Sequence, residues 1–209
     1  MAVKDIKTWI LMFLLFFIIF AASITNFFPS VVETLGYGKV RSLFLTVPPY
    51  AIATVLSCLN AWHSDRVAER YWHITIPLCF AVTGFIIAAT TESVAPRYLS
   101  MILMLSGLYP GFVIALGWIS STVRRPLAKR AAAMALITAF GNSSSIYASF
   151  MFQSQMAPRY VLAMSVCSGA IVLALGCTTV LRFVLVHHNK RTEGTGAAGG
   201  PAVDFKFPI

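Results

Sequence analysis

Long apolar runs separated by short polar punctuation dominate the chain. Neither the two-residue alternation of half-buried strands nor the polar stripe of a soluble amphipathic helix is visible. Six stretches approach or exceed the roughly 20 residues that a helix needs to cross a bilayer: 9–28, 43–62, 73–91, 98–120, 131–152 and 160–186. Only Arg182 interrupts the absence of Asp, Glu, Lys and Arg inside them, and it lies near an end, where a long side chain can snorkel to the surface. Backbone groups in lipid must be paired within their own segment, so each run reads as a helix, and no barrel alternation competes. The expected architecture is an all-α membrane protein, six transmembrane helices over residues 1–186, followed by a disordered polar tail, 187–209, reading "HHNKRTEGTGAAGGPAVDFKFPI".

The first run admits a rival. Two lysines, an apolar stretch and "FAAS" also fit a signal peptide with its small-residue cleavage site. The apolar run continues through Ile24 to Phe28, which favours a true span. Two further breaks stand out: "NFFPS" at the end of the first span and "LYPGF" inside the fourth. These fall in the corresponding spans of two three-helix units, one near a span end and the other mid-span, a rough match to an inverted repeat with its site near the broken segments, or else a chance pairing. The "VPPY" at 47–50 is expected to open the second span, where missing backbone donors cost least. The loop 29–42, with "ETLGYGK", carries turn chemistry.

Composition supports a membrane class: 58% of residues are hydrophobic and only 11% charged, and mean hydropathy is +0.78. The net charge of +9 does not call for nucleic acid, because its distribution answers otherwise. With both termini in the cytosol, twelve Lys and Arg fall on the inner side and four (Lys39, Arg41, Arg97, Arg159) on the outer, a positive-inside bias. Trp9, Trp62, Trp72 and Trp118 then mark the inner ends of spans. The partner implied by this charge is the lipid bilayer, not nucleic acid. Cys58, Cys79, Cys167 and Cys177 lie inside spans without CxxC spacing and read as free thiols.

Candidate chemistry is sparse. All seven carboxylates and four histidines lie outside span centres, so neither a proton relay nor a metal site is built mid-membrane. No cofactor is implied. An intramembrane enzyme would need a buried Asp pair or a Ser–His pair, and neither is present, so the chain reads as a non-enzyme. Two polar features remain. In "TAFGNSSSIY", Thr138, Asn142, Ser145 and Ser149 step along one helix face beside a small-residue strip of Gly141, Ser144 and Ala148. This face reads either as helix-packing glue or as a gate lining a cavity; a mid-span Asn142 cannot be glycosylated despite its "NSS" context. In "NAWHSDRVAERYWH", Asp65 offers a carboxylate to Arg66 and Arg70 across a tight turn, or else the loop is an ordinary charged turn.

The turn also resembles the loop motif of the major facilitator superfamily, Gly-x-x-x-Asp-Arg-x-Gly-Arg-Arg, running here from Ala61 through Asp65 and Arg66 to Arg70. Ala61 and Ala68 stand for its glycines and Glu69 for the first arginine of its final pair. Together with "KDIKTWILMFLLFFIIFAASITNFFPSVVETLGYGKVRSLFLTVPPY", "GNSSSIYASF" and "RYVLAM", residues 4–191 look like helices seven to twelve of the fungal anion:cation symporters, the allantoate permease group. The resemblance implies half of a major facilitator fold, a 3+3 inverted repeat. The partner would be an N-terminal six-helix half or a second copy of the chain.

It further implies a secondary transporter for a small organic anion such as a vitamin or ureide, proton-coupled in its full-length form and resident in the plasma membrane. The first and fourth spans would line the cavity, making Asn26, Ser106 and Tyr109 substrate-binding candidates, with Asn142 a fourth. Asp65, Arg66 and Arg70, together with Thr138, Gly141 and Ser145, become candidates for gating and for packing between halves. The alternative is a non-transporting membrane fragment that serves only as a helix-packing partner.

Overall fold

The computed structural model describes residues 6–27, 38–91, 93–122, 127–151 and 160–196. Most of the loop 29–42, Pro29 of "NFFPS" and the tail beyond residue 196 lie outside them. Among the described residues there are six α-helices and no strands: α1 (Ile6–Ala22), α2 (Lys39–Val67), α3 (Tyr71–Thr90), α4 (Val94–Thr122), α5 (Leu127–Ser149) and α6 (Val161–Gly196). A 3-10 segment, Ser23–Phe27, prolongs α1. Five helices are long and apolar enough to cross a membrane, namely α1 with its extension, α2, α3, α4 and α6 up to His187. With 23 residues, α5 is long enough to cross, but Gly141, Asn142 and three serines dilute its apolar run. The chain is an integral membrane protein. The last helix runs past Val186, where the tail was expected to begin, as far as Gly196.

The helices form two interleaved three-helix units. α1 packs on α5 and α6 as α4 packs on α2 and α3, while α1 meets α4 and α3 meets α6 across the middle. Exchanging the first three helices for the last three leaves this pattern of neighbours unchanged, which is the inverted repeat of half a major facilitator fold. The centre belongs to α1 and α4, whose most apolar stretches are 44% and 56% buried, against 28–33% in α2, α3 and α6. On α1 the buried positions Thr8, Leu11, Met12, Leu15 and Ile18 follow helical spacing, with Leu14 and Ala21 widening the face for three neighbours. Lipid tails are as apolar as these side chains, so close packing rather than transfer from water holds the bundle.

Close packing is tightest where α3 crosses α4. A Cβ on Gly107 would run into the Pro77 carbonyl and lie 2.6 Å from the Ala81 nitrogen; on Gly84 it would lie 2.9 Å from both the Met104 nitrogen and the Ser100 oxygen. Backbone meets backbone there, which only glycine permits.

Prolines inside three helices do not break them. Pro48 and Pro49 lie well within α2 rather than at its start, and "LYPGF" does not interrupt α4, which runs continuously through Pro110. The physical reason is visible at two of the sites. Proline removes the N–H that would serve the carbonyl four residues earlier. Pro49 thus strips the Leu45 carbonyl, and the Tyr98 hydroxyl of α4 donates to it at 3.0 Å. Pro77 strips the His73 carbonyl, and Asn60 Nδ2 of α2 donates to it at 2.9 Å. Neighbouring helices supply the donors that proline removed.

Candidate functional site

α1 changes character at Ser23. Its hydroxyl donates back to the Ile19 carbonyl at 3.0 Å and lies 3.4 Å from Ser145 Oγ of α5. From there the chain tightens into the 3-10 segment, whose shorter turn re-aims successive side chains. Tyr50 of α2 reaches the Thr25 carbonyl at 3.5 Å. Between this segment, α4 and α5 lies a cavity of ≈ 240 Å³, lined by Ser23, Thr25 and Asn26, by Leu108, Tyr109 and Phe112, and by Asn142 and Ser145, with Ile19 and Ala22 completing the wall. Tyr109 meets Tyr50 edge-on, ring centroids 6.0 Å apart.

Among the described residues no Asp, Glu, Lys, Arg or His lines this space. Its wall offers neutral hydrogen-bonding groups on one side and aromatic faces on the other. Most α5 hydroxyls are turned onto their own helix: Ser143 donates to the Phe140 carbonyl and Ser144 to that of Gly141, both at 2.6 Å, and Ser149 donates to Ser145 at 2.8 Å. Asn142 Nδ2 donates to the Thr138 carbonyl at 3.0 Å, which leaves its amide oxygen as an acceptor. A polar helix survives in a membrane setting because its donors are spent internally.

The structure therefore brings Asn26, Tyr109, Asn142 and Ser145 together around one space. Ser106 does not line it; its hydroxyl donates to the Leu103 carbonyl at 3.1 Å. Thr138 is exposed one turn below Asn142. Gly141 is buried against α1, where an added Cβ would lie 2.8 Å from Ile19 Cδ1 and 3.5 Å from Leu15. Ser144 and Ala148 are buried beside it. Sequence reasoning missed Ser23, Thr25 and Phe112. The first two lie within one turn of Asn26, and the "NFFPS" break was the signal that this turn departs from α-helix.

A second polar cluster forms the α2–α3 turn. Asp65 Oδ1 accepts from Arg70 Nη2 at 3.1 Å. Arg66 does not join them; it lies over the Trp62 ring, 4.2 Å from its centroid. The Arg70 guanidinium rests against α4 at Gly117, where a Cβ would run into Nη1. Gly117 thus gives Arg70 its seat, and nothing in the spacing of the loop announced it. The buried Ser64 hydroxyl donates to the Glu69 carbonyl at 2.8 Å. Ala68 closes α2 in the left-handed region at φ 56°, the position where the resembled motif has glycine and where a Cβ is strained. His63 Nδ1 and His73 Nε2 lie 2.6 Å apart and add a tie between the two helices. All four cysteines are free.

No family model matches the chain. It is 27% identical over 193 residues to the high-affinity nicotinic acid transporter of Saccharomyces cerevisiae, a match covering 92% of the chain and 36% of that relative. To an MFS-type transporter of Hormonema carpetanum it is 31% identical over 163 residues, 75% of the chain and 33% of the relative. An uncharacterized transporter of Schizosaccharomyces pombe matches at 27% over 175 residues, 84% of the chain and 35% of the relative. The chain thus spans about a third of the length of the curated relatives it matches. Its homologues are fungal transporters, and the extent of the match is consistent with the C-terminal half of one.

Proposed function

We propose that this homologue of fungal major facilitator superfamily transporters forms one wall of a substrate path and works by alternating access against a second six-helix half. The observation that carries the reading is the cavity at the 3-10 end of α1, with Asn26, Tyr109, Asn142 and Ser145 converging on it. A helix that departs from α geometry beside a cavity, as α1 does at Ser23–Phe27, fits a recurrent transporter device. The substrate is a small organic anion of vitamin or ureide type; a nicotinic acid transporter among the relatives supports that class.

The charge-free lining gives this wall a defined share of the work. It meets the uncharged part of the substrate with amide and hydroxyl groups and stacks it against Tyr109 and Phe112. The carboxylate and the coupling proton are handled by groups outside this wall. The Asp65–Arg70 pair, seated on Gly117, locks the cytosolic end of the bundle in one state. The protein resides in the plasma membrane with both termini in the cytosol.

The test is uptake of labelled nutrient anions by transport-deficient yeast expressing the chain together with an N-terminal six-helix half. Uptake should be lost in Asn142→Ala and impaired in Asp65→Ala, with membrane expression retained in both. Wild-type uptake by Asp65→Ala would remove its gating role. Failure of every anion would leave only a helix-packing partner.

A further inference from the structure

Three arginines, Arg66, Arg70 and Arg182, lie at the end of the bundle that carries the α2–α3 turn, and among the described residues only Arg70 pairs with a carboxylate. Arg182 of α6 lies over the Tyr71 ring, 4.3 Å from its centroid, and reaches Trp72 at 5.6 Å. Arg66 likewise lies over Trp62. Stacking engages the face of a guanidinium and leaves its N–H donors, which point outward in the ring plane, for an acceptor. Among the described residues neither Arg182 nor Arg66 donates to a carboxylate.

Arg182 is only half-exposed and lies within 161–187, a stretch apolar enough to cross a membrane. Its partner Tyr71 is the first residue of α3, so the charge sits level with the helix ends, at headgroup depth rather than mid-bilayer. The seat is preformed: the Tyr71 hydroxyl and Thr179 Oγ1 lie 3.4 Å apart and join α3 to α6. Trp62 and Trp72 are 56% and 46% exposed, as indoles are at a membrane–water interface. Beside them Ile76 and Phe183, both exposed, offer apolar surface of the kind an acyl chain covers.

We propose that Arg182, seated on Tyr71 and Trp72, binds the headgroup phosphate of an anionic phospholipid, with Arg66 on Trp62 forming a second contact at the same end. The chemistry required is a phosphate anion. The exposed indoles and the adjoining apolar surface select the lipid over free phosphate, because only the lipid covers both.

The purified chain, reconstituted in phosphatidylcholine nanodiscs containing phosphatidylglycerol, provides the test, with retained lipid read by native mass spectrometry. Wild type should enrich phosphatidylglycerol by about fivefold per arginine over Arg182→Gln or Arg66→Gln, the scale for one basic residue at an anionic surface. Arg182→Lys, which keeps charge but not the planar fork, should fall between wild type and Arg182→Gln. Equal enrichment in Arg182→Gln and wild type would overturn the site. Should Arg182→Gln not fold, competition on wild type decides: sodium phosphate displacing phosphatidylglycerol would overturn the lipid assignment, and resistance to it supports the lipid.

Discussion

The two sides of the bundle solve the same packing problem in opposite ways. On the α2–α3–α4 side, glycines bring backbones into contact, and every carbonyl stripped by Pro49 or Pro77 receives a donor from the next helix. On the α1–α5 side, hydroxyls and amides bond their own helix, and an open space remains between α1, α4 and α5. The first side has no slack, whereas the second holds polar atoms with little structural duty. A transporter wall needs both, a rigid back and a face free to contact a ligand.

Substitutions can break or sharpen this contrast. The largest effect is expected at Gly107→Leu, since its Cβ alone would already lie 2.7 Å from Ala81 Cβ. Prying the seam apart should cost about 3 kcal/mol or more, read by unfolding in mixed micelles. Wild-type stability in that variant would mean that the α3–α4 side has slack after all. Tyr98→Phe comes next. It strands the Leu45 carbonyl and should cost about 1–3 kcal/mol. Adding Pro49→Ala restores a backbone donor, so the double variant should recover most of the loss; purely additive effects would dismiss the capping account.

Ala68→Gly relaxes the left-handed residue that ends α2 and should stabilise the protein by about 1 kcal/mol. A destabilised variant would show that the turn is held by something other than backbone preference. The smallest change in stability belongs to the open side. Asn142→Ala should shift the unfolding midpoint by no more than about 0.5 kcal/mol while abolishing uptake. A large stability loss there would make Asn142 a packing residue and erase the contrast between the sides.

Much of the fold could be read before any coordinates, because lipid imposes one rule on every span. Apolar runs of the right length become helices, and the α1 break at "NFFPS" does fall where the helix tightens. What escaped depends on neighbours distant in sequence. "VPPY" looked like a helix start because a proline's missing donor is visible in sequence, whereas the Tyr98 hydroxyl that replaces it arrives from another helix. Arg97, counted on the outer side, is 6% exposed in the first turn of α4, a burial its charge did not announce. The site was legible in part. Asn26, Tyr109, Asn142 and Ser145 converge on one cavity, but Ser106 turns onto its own helix, and Arg66 takes an indole rather than Asp65. Residue type and spacing did not distinguish Arg66 from Arg70; the difference is made by Gly117, a residue on another helix.

The interleaved contacts of the two three-helix units carry a consequence for how the chain is made. Of the six described helices α1 precedes the rest, and the helices it packs on, α4, α5 and α6, all come later. Its buried face, Leu11 to Ala21, must therefore wait in lipid until those later helices insert. Being apolar all round, α1 can wait there at little cost. α3 meets its main partner α4 as soon as the next segment inserts. Assembly of these six helices should accordingly proceed from α3 and α4 outward, with the ligand-facing side closing last, when α5 returns to α1.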